Sequence, residues 1–161
     1  GAIVSLSGMK QILLVIAVLA LTGCPANRNP ESKTSPPHAA DKPNKTSPPK
    51  HTADSLELIQ DRIANNEAIL IDVREKFEWE DGHLQPAVFL PLSELEEGES
   101  DESFAAKLAK ILPKDKIVYC HCVSGGRVMP ASAILHKLGY DARPLKAGYN
   151  DLLKAGFEKA K

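Results

Sequence analysis

Two short apolar runs constrain the fold more than any other feature of this chain: Ala68, Ile69, Leu70 and Ile71, then Ile117, Val118, Tyr119 and Cys120. A strand that is apolar at every position has no face to give to water, so it must be covered on both sides. The coverings are visible in the flanking sequence. Leu56, Ile59 and Ile63 recur at helical spacing, with Asp54 or Ser55 in place as a cap. Phe104, Leu108, Ile111 and Leu112 mark a second amphipathic helix, stopped by Pro113. Val128, Ala131, Ile134, Leu135 and Leu138 mark a third, closed by Gly139. Shorter strands are expected over 88–90 and 142–145, and a last helix over 152–157. Strands alternating with helices predict an α/β domain whose mainly parallel central sheet carries helices on both faces. This domain is expected over residues 55–161, a length sufficient for one core.

Before residue 55 the texture changes. Met9 and Lys10 open a short positive region, and residues 12–21 are unbroken apolar sequence ending in L-T-G-C at Cys24. Such a run makes about 15 Å of helix, roughly half the hydrocarbon thickness of a bilayer, so it fits a signal-peptide core better than a membrane span. The L-T-G-C ending resembles the lipobox of bacterial lipoproteins. That resemblance implies a signal over 9–24, lipid on Cys24, and a domain anchored to a bacterial envelope membrane outside the cytoplasm. Residues 1–8 precede the signal and are set aside from the fold. Residues 25–54 carry no aromatic or large aliphatic side chain, and K-T-S-P-P-H-A-A-D from Lys33 is echoed by K-T-S-P-P-K-H-T-A-D from Lys45. They predict a disordered, Pro-rich tether, because nothing in them offsets the entropy of ordering.

The formal net charge of −1 gives no reason to expect nucleic acid or a polybasic membrane patch. Three cysteines are too few for a disulfide scaffold, so each is read in its own context. The run from Tyr119 is Y-C-H-C-V-S-G-G-R, a strand that ends in a cysteine followed by a glycine-rich turn and a helix. In open parallel sheets, ligands bind beyond the carboxyl ends of the strands. Glycines at such a turn let successive N–H groups point inward as an anion cradle, and the helix N-terminus adds about half a positive charge. Both favour Cys122 as the thiolate, its nucleophilic form. The cradle is expected to comprise Val123, Ser124, Gly125, Gly126 and Arg127, with Arg127 offering a charged fork to an anionic substrate. The competing reading is a buried cysteine at a plain strand-to-helix turn.

The domain resembles the single-domain rhodaneses over nearly all of residues 55–161. The stretch I-D-V-R-E-K-F-E-W-E-D-G-H-L-Q-P-A-V-F-L-P-L-S-E-L, the loop C-V-S-G-G-R, the helix ending L-G-Y and the segment D-A-R-P-L-K-A-G-Y occur in the family's order. The resemblance implies a sulfurtransferase that moves sulfane sulfur through a persulfide on Cys122. Its donor would be thiosulfate or a polysulfide, its acceptor a thiol or cyanide, and it needs no cofactor. From Cys122 to Arg127 the loop has the six-residue length of sulfurtransferases. Counted from Cys120 it is too long, and neither count gives the seven residues of related phosphatases. Asp72 and Arg74 resemble family positions that brace the fold near the site. Val123 and Val128 stand where many members carry a basic residue and a serine, so the loop is less cationic and a less charged persulfide or polysulfide fits equally well. Carrier or partner-docking domains share the same pattern. The domain is expected to act as a monomer.

Cys120, two residues earlier on the strand, should share a side with Cys122 and reads as packing first and as a resolving thiol second. His121 points the opposite way, so this trio is a poor soft-metal site and no metal is expected. His83 reads as a structural histidine, Trp79 as the inward side of a short helix, and the acidic run over 94–102 as a solvated loop.

Overall fold

The two apolar runs are adjacent strands at the centre of one parallel sheet. A computed structural model describes residues 49–161. The signal, Cys24 and the tether up to residue 48 lie outside the described residues. The elements in chain order are α1 (Leu56–Ala64), β1 (Ala68–Asp72), α2 (Lys76–Asp81), β2 (Ala87–Phe89), α3 (Leu92–Gly98), α4 (Glu102–Ile111), β3 (Ile117–His121), α5 (Val128–Lys137), β4 (Asp141–Pro144) and α6 (Tyr149–Lys154). The strands lie in the order β2-β1-β3-β4, and every pairing is parallel. Asp72 at the end of β1 is in register with His121 at the end of β3.

Side-chain alternation along the strands divides the core between two faces. Leu70 and Tyr119 pack with Ile59 of α1, Leu152 of α6, and Leu84 and Phe157. Ile71, Val118 and Cys120 pack on the other face against Leu95 of α3, Phe104 and Leu108 of α4, and Val128, Ala131 and Leu135 of α5. A fully buried Leu or Ile of this kind contributes about 1.5–3 kcal/mol by leaving water. Ser55 provides the cap of α1, its hydroxyl accepting the Leu58 N–H at 3.2 Å.

Several boundaries differ from those expected. The acidic run is largely helical, because Leu92 and Leu95 give α3 an apolar side while Glu96 and Glu97 face water. Gly98 ends that helix under Phe104, whose ring lies 2.3 Å from where a Cβ would sit. Ile111 is 45 % exposed, since Leu112 beyond the helix takes the buried place. Helix α6 starts at Tyr149 and ends before Phe157, which packs into the core from the following turn.

The last residues assigned to the tether are joined to the domain. The Thr52 N–H donates to Pro144 O at 2.9 Å. The Asp54 carboxylate accepts from Tyr119 Oη at 2.6 Å, Arg62 Nη1 at 2.8 Å and Arg143 Nη1 at 3.0 Å. Partial burial opposes its ionisation, but the bonds from Tyr119 and Arg143 prevail and hold its carboxyl below the usual range. A segment without aromatic or large aliphatic side chains is ordered here by charge and hydrogen bonds, which hydrophobic patterning does not register. Among the described residues no helix is long and apolar enough to cross a membrane.

Candidate active site

The sheet order reverses between β1 and β3: the chain leaves β1 for the β2 edge, and leaves β3 for the β4 edge. Such a switch point opens a crevice at the carboxyl ends of the two strands. Cys122 follows the last residue of β3 and sits at the bottom of that crevice, 1 % exposed. The loop then turns back over it, and the Gly125 N–H donates to the Cys122 Sγ at 3.2 Å. This turn requires Gly125 at φ +82°, a left-handed conformation that disfavours a side chain. A Cβ there would also lie 2.7 Å from Lys146 O. Helix α5 begins at Val128 and directs its N-terminus at the loop. Among the described residues no carbonyl accepts from the N–H groups of Ser124, Gly126 or Arg127, which leaves them available to an anion. A thiolate in this setting is a nucleophile with backbone donors beside it for a second charged atom.

The expected loop residues occupy distinct places. Val123 is 48 % exposed at the mouth, Ser124 and Gly126 are exposed, and Gly125 is buried beneath them. Arg127 does not offer a free fork: its Nη1 and Nη2 donate to Glu78 Oε2 and Oε1 at 2.6 and 2.8 Å. The same Glu78 Oε2 accepts the Glu75 N–H at 3.0 Å, so α2 is tied to the loop through one carboxylate. The hydrogen bond from Arg127 holds the Glu78 carboxyl below its ordinary range, and the Arg127 guanidinium is raised in turn.

Asp72 and Arg74 form a buried pair at the end of β1, not a surface one. Arg74 Nε and Nη2 reach the Asp72 carboxylate at 2.9 and 2.7 Å, and Nη2 also donates to Gly82 O at 2.8 Å. The guanidinium lies 4.1 Å from the centre of the Tyr149 ring, and the Tyr149 backbone N–H donates to Cys122 O at 2.8 Å. The pair therefore supports the floor of the site.

Cys120 shares the core cluster of Cys122, as the period-two spacing requires, and is fully buried. Burial pushes its thiol far up, with the neighbouring Cys122 adding to the shift, so packing is the reading it supports. His121 is also fully buried, and burial pushes it down to about 4, so it is neutral. Among the described residues no group of His, Cys, Asp and Glu is placed to hold a metal ion. His83 Nδ1 lies 3.1 Å from Trp79 O, and its ring stacks on half-buried Trp79 at 3.7 Å.

Two contributors were not read as site residues from sequence. Glu78 gave only a helical signal, although an acid one turn into an exposed helix can reach a loop cation. Gly148 makes the closest backbone approach in the site: a Cβ there would lie 1.8 Å from Val123 O. Its signal was the A-G-Y turn after the last strand.

A buried thiol under a glycine loop at the switch point of a parallel sheet defines a cysteine-loop α/β domain. The family model described as Rhodanese-like domain matches residues 55–155, and the chain belongs to that family. A mitochondrial protein of Schizosaccharomyces pombe, whose name proposes thiosulfate sulfurtransferase activity, is 41% identical over 76 residues, covering 45% of this chain and 53% of its own. The chain thus spans about half the length of that curated relative. The human single-domain sulfurtransferase TSTD1 is 26% identical, covers 67% of this chain and 96% of its own, and superposes with a TM-score of 0.50. The single-domain sulfurtransferase RDL2 of Saccharomyces cerevisiae, 20% identical over 69% of this chain and 94% of its own, shares the fold with a TM-score of 0.54.

Proposed function

We propose that this domain is a sulfurtransferase that carries sulfane sulfur as a persulfide on Cys122. The observation that supports this most directly is the Gly125 N–H on the Cys122 Sγ, with further loop amides and the start of α5 around it. In the first half-reaction the thiolate attacks the outer sulfur of the donor and the donor's S–S bond breaks. From thiosulfate the leaving group is sulfite, which takes the bonding electron pair. In the second, the acceptor attacks the outer sulfur of the persulfide and Cys122 leaves as thiolate. Cyanide becomes thiocyanate, and a thiolate becomes a persulfide. No general base is required if the nucleophile is already ionised. The loop amides carry the negative charge of the outer sulfur, a stabilisation available only once that atom is present.

The closed Arg127–Glu78 pair and the apolar Val123 favour a donor of low charge, a persulfide or an organic polysulfide, over the thiosulfate dianion. The L-T-G-C motif supports a lipid anchor at Cys24 that holds this chemistry at a cell envelope, with the membrane as its neighbour. Incubation with polysulfide should add the mass of one sulfur atom to Cys122, and cyanide should remove it as thiocyanate. Cys122→Ser abolishes both steps and Cys120→Ser retains them. Turnover that persists in Cys122→Ser sinks the assignment. Loading without discharge to any acceptor makes the domain a carrier.

A further inference from the structure

One side chain reaches the loop from outside the domain expected on sequence. His51 Nε2 lies 2.8 Å from Gly125 O. A carbonyl oxygen only accepts, so the ring must donate and Nε2 must carry the proton. The segment that delivers it is fastened by the Thr52 N–H on Pro144 O and by the three donors on Asp54. His51 is therefore held in place on its C-terminal side by four hydrogen bonds.

Its target is the residue whose N–H meets the Cys122 Sγ. The carbonyl of Gly125 and the N–H of Gly126 belong to one planar trans peptide, in which those two bonds point in opposite directions. Holding the carbonyl toward His51 aims the Gly126 N–H away from it. On the Gly126 side the next carbonyl accepts the Met129 N–H at 3.2 Å, which does not itself fix the Gly125–Gly126 peptide plane, and an added Cβ there would meet nothing within 4 Å. On its other side Gly125 packs against the carbonyls of Leu145 and Lys146, which cannot donate to it.

We propose that His51, supplied by the segment before the sheet domain, is a positioning residue of the sulfur cradle: its Nε2–H fixes the Gly125–Gly126 peptide so that the Gly126 amide faces the outer sulfur on Cys122. The segment entering the domain is then part of the site, and a chain cut at residue 55 lacks it. The proposal takes its ligand from the persulfide reading, but its effect on the unloaded thiol does not depend on that reading.

The test compares wild type, His51→Ala and His51→Gln in the full chain. The alkylation rate of Cys122 by iodoacetamide at one neutral pH, located by peptide mass, reads the thiolate without any sulfur donor. The rate of sulfur uptake from polysulfide reads the loaded cradle. Removing a direct oxyanion donor slows catalysis by roughly a hundredfold or more. His51 acts through one peptide, so His51→Ala is expected to slow sulfur uptake by about tenfold and alkylation by a few-fold. His51→Gln keeps an N–H donor at similar reach and is expected to recover most of both rates. Unchanged rates in His51→Ala overturn the proposal, as does a Gln variant as slow as the Ala variant. A wild type that takes up no sulfur while its alkylation still depends on His51 leaves the positioning role standing and refutes the sulfurtransferase reading instead.

Discussion

Gly148→Ala tests whether the cradle is shaped by close backbone packing. Gly148 has φ −86°, so a side chain meets no conformational strain there and the whole effect is steric. The added Cβ would lie 1.8 Å from Val123 O, 2.6 Å from Val123 C and 3.1 Å from Ser124 N. Ordinary carbon–oxygen contacts begin near ~3.3 Å, so the turn and the loop must separate by about 1.5 Å. Both sides are backbone, and neither can rotate away as a side chain would. Overpacking of this kind costs about 1–3 kcal/mol and sometimes more, and the rigid partners place this case near ~3 kcal/mol. With a urea m-value of about 1.5 kcal/mol/M, the midpoint should fall by about 2 M. The single tryptophan, Trp79, is stacked on His83 and reports the transition by fluorescence. Gly126→Ala is the control, since its Cβ enters open space; it should move the midpoint by less than about 0.5 M. Equal midpoints for the two variants would refute the reasoning. So would full-rate sulfur uptake by Gly148→Ala, because the displaced Val123 and Ser124 belong to the cradle.

Arg74→Met strands the Asp72 carboxylate in the core and should cost about 3–5 kcal/mol by urea denaturation, whereas Asp72→Leu with Arg74→Met should recover about half of it. The Glu78–Arg127 pair is partly exposed and contributes about 1 kcal/mol. Because the folded Glu78 carboxyl titrates below its unfolded value of about 4.3, that contribution is present above this pH and is lost as pH falls through the folded value. The stability gap between wild type and Glu78→Gln should therefore close in acid; a gap that stays constant down to pH ~2 refutes the assignment. Glu78→Gln also loosens Arg127, so the ratio of kcat/KM for thiosulfate to that for polysulfide should rise about tenfold, and a fall in this ratio argues against the donor reading.

The central part of the fold could be read from sequence because it rests on patterns that burial enforces. Unbroken apolar strands fixed the two-sided sheet, and period-two spacing put Cys120 and Cys122 in one cluster. The Gly125-Gly126 turn after a strand located the loop, since few other residues tolerate φ +82°. What escaped depends on polar reach between distant segments. The α3 helix was hidden because five acids in eight residues, from Glu94 to Asp101, mask two leucines three apart. Arg127 looked free because its partner lies 49 positions earlier, and no local rule couples an α2 acid to a later loop. His51 lies 74 positions from Gly125 in a stretch whose composition argues for disorder. Three donors on Asp54 supply the order that the apolar count denies.

These polar contacts bear on the charge of the site more than on its shape. A cradle with a free guanidinium would present a full positive charge to its ligand and favour a dianion. Here the Glu78 carboxylate cancels that charge at 2.6 and 2.8 Å, and an apolar Val123 stands at the mouth. What remains is the helix N-terminus, equivalent to about half a positive charge, and the dipoles of the loop amides. On the proposed persulfide reading such a field would hold the single negative charge of the outer sulfur, beside the Gly125 N–H that already reaches the Cys122 Sγ at 3.2 Å. It attracts a doubly charged donor from solution weakly, since fields of this size are screened within about 10 Å at moderate salt. On the proposed reading such a loop would keep sulfur once bound better than it would draw thiosulfate in, and this asymmetry is why the proposed donor is the less charged one.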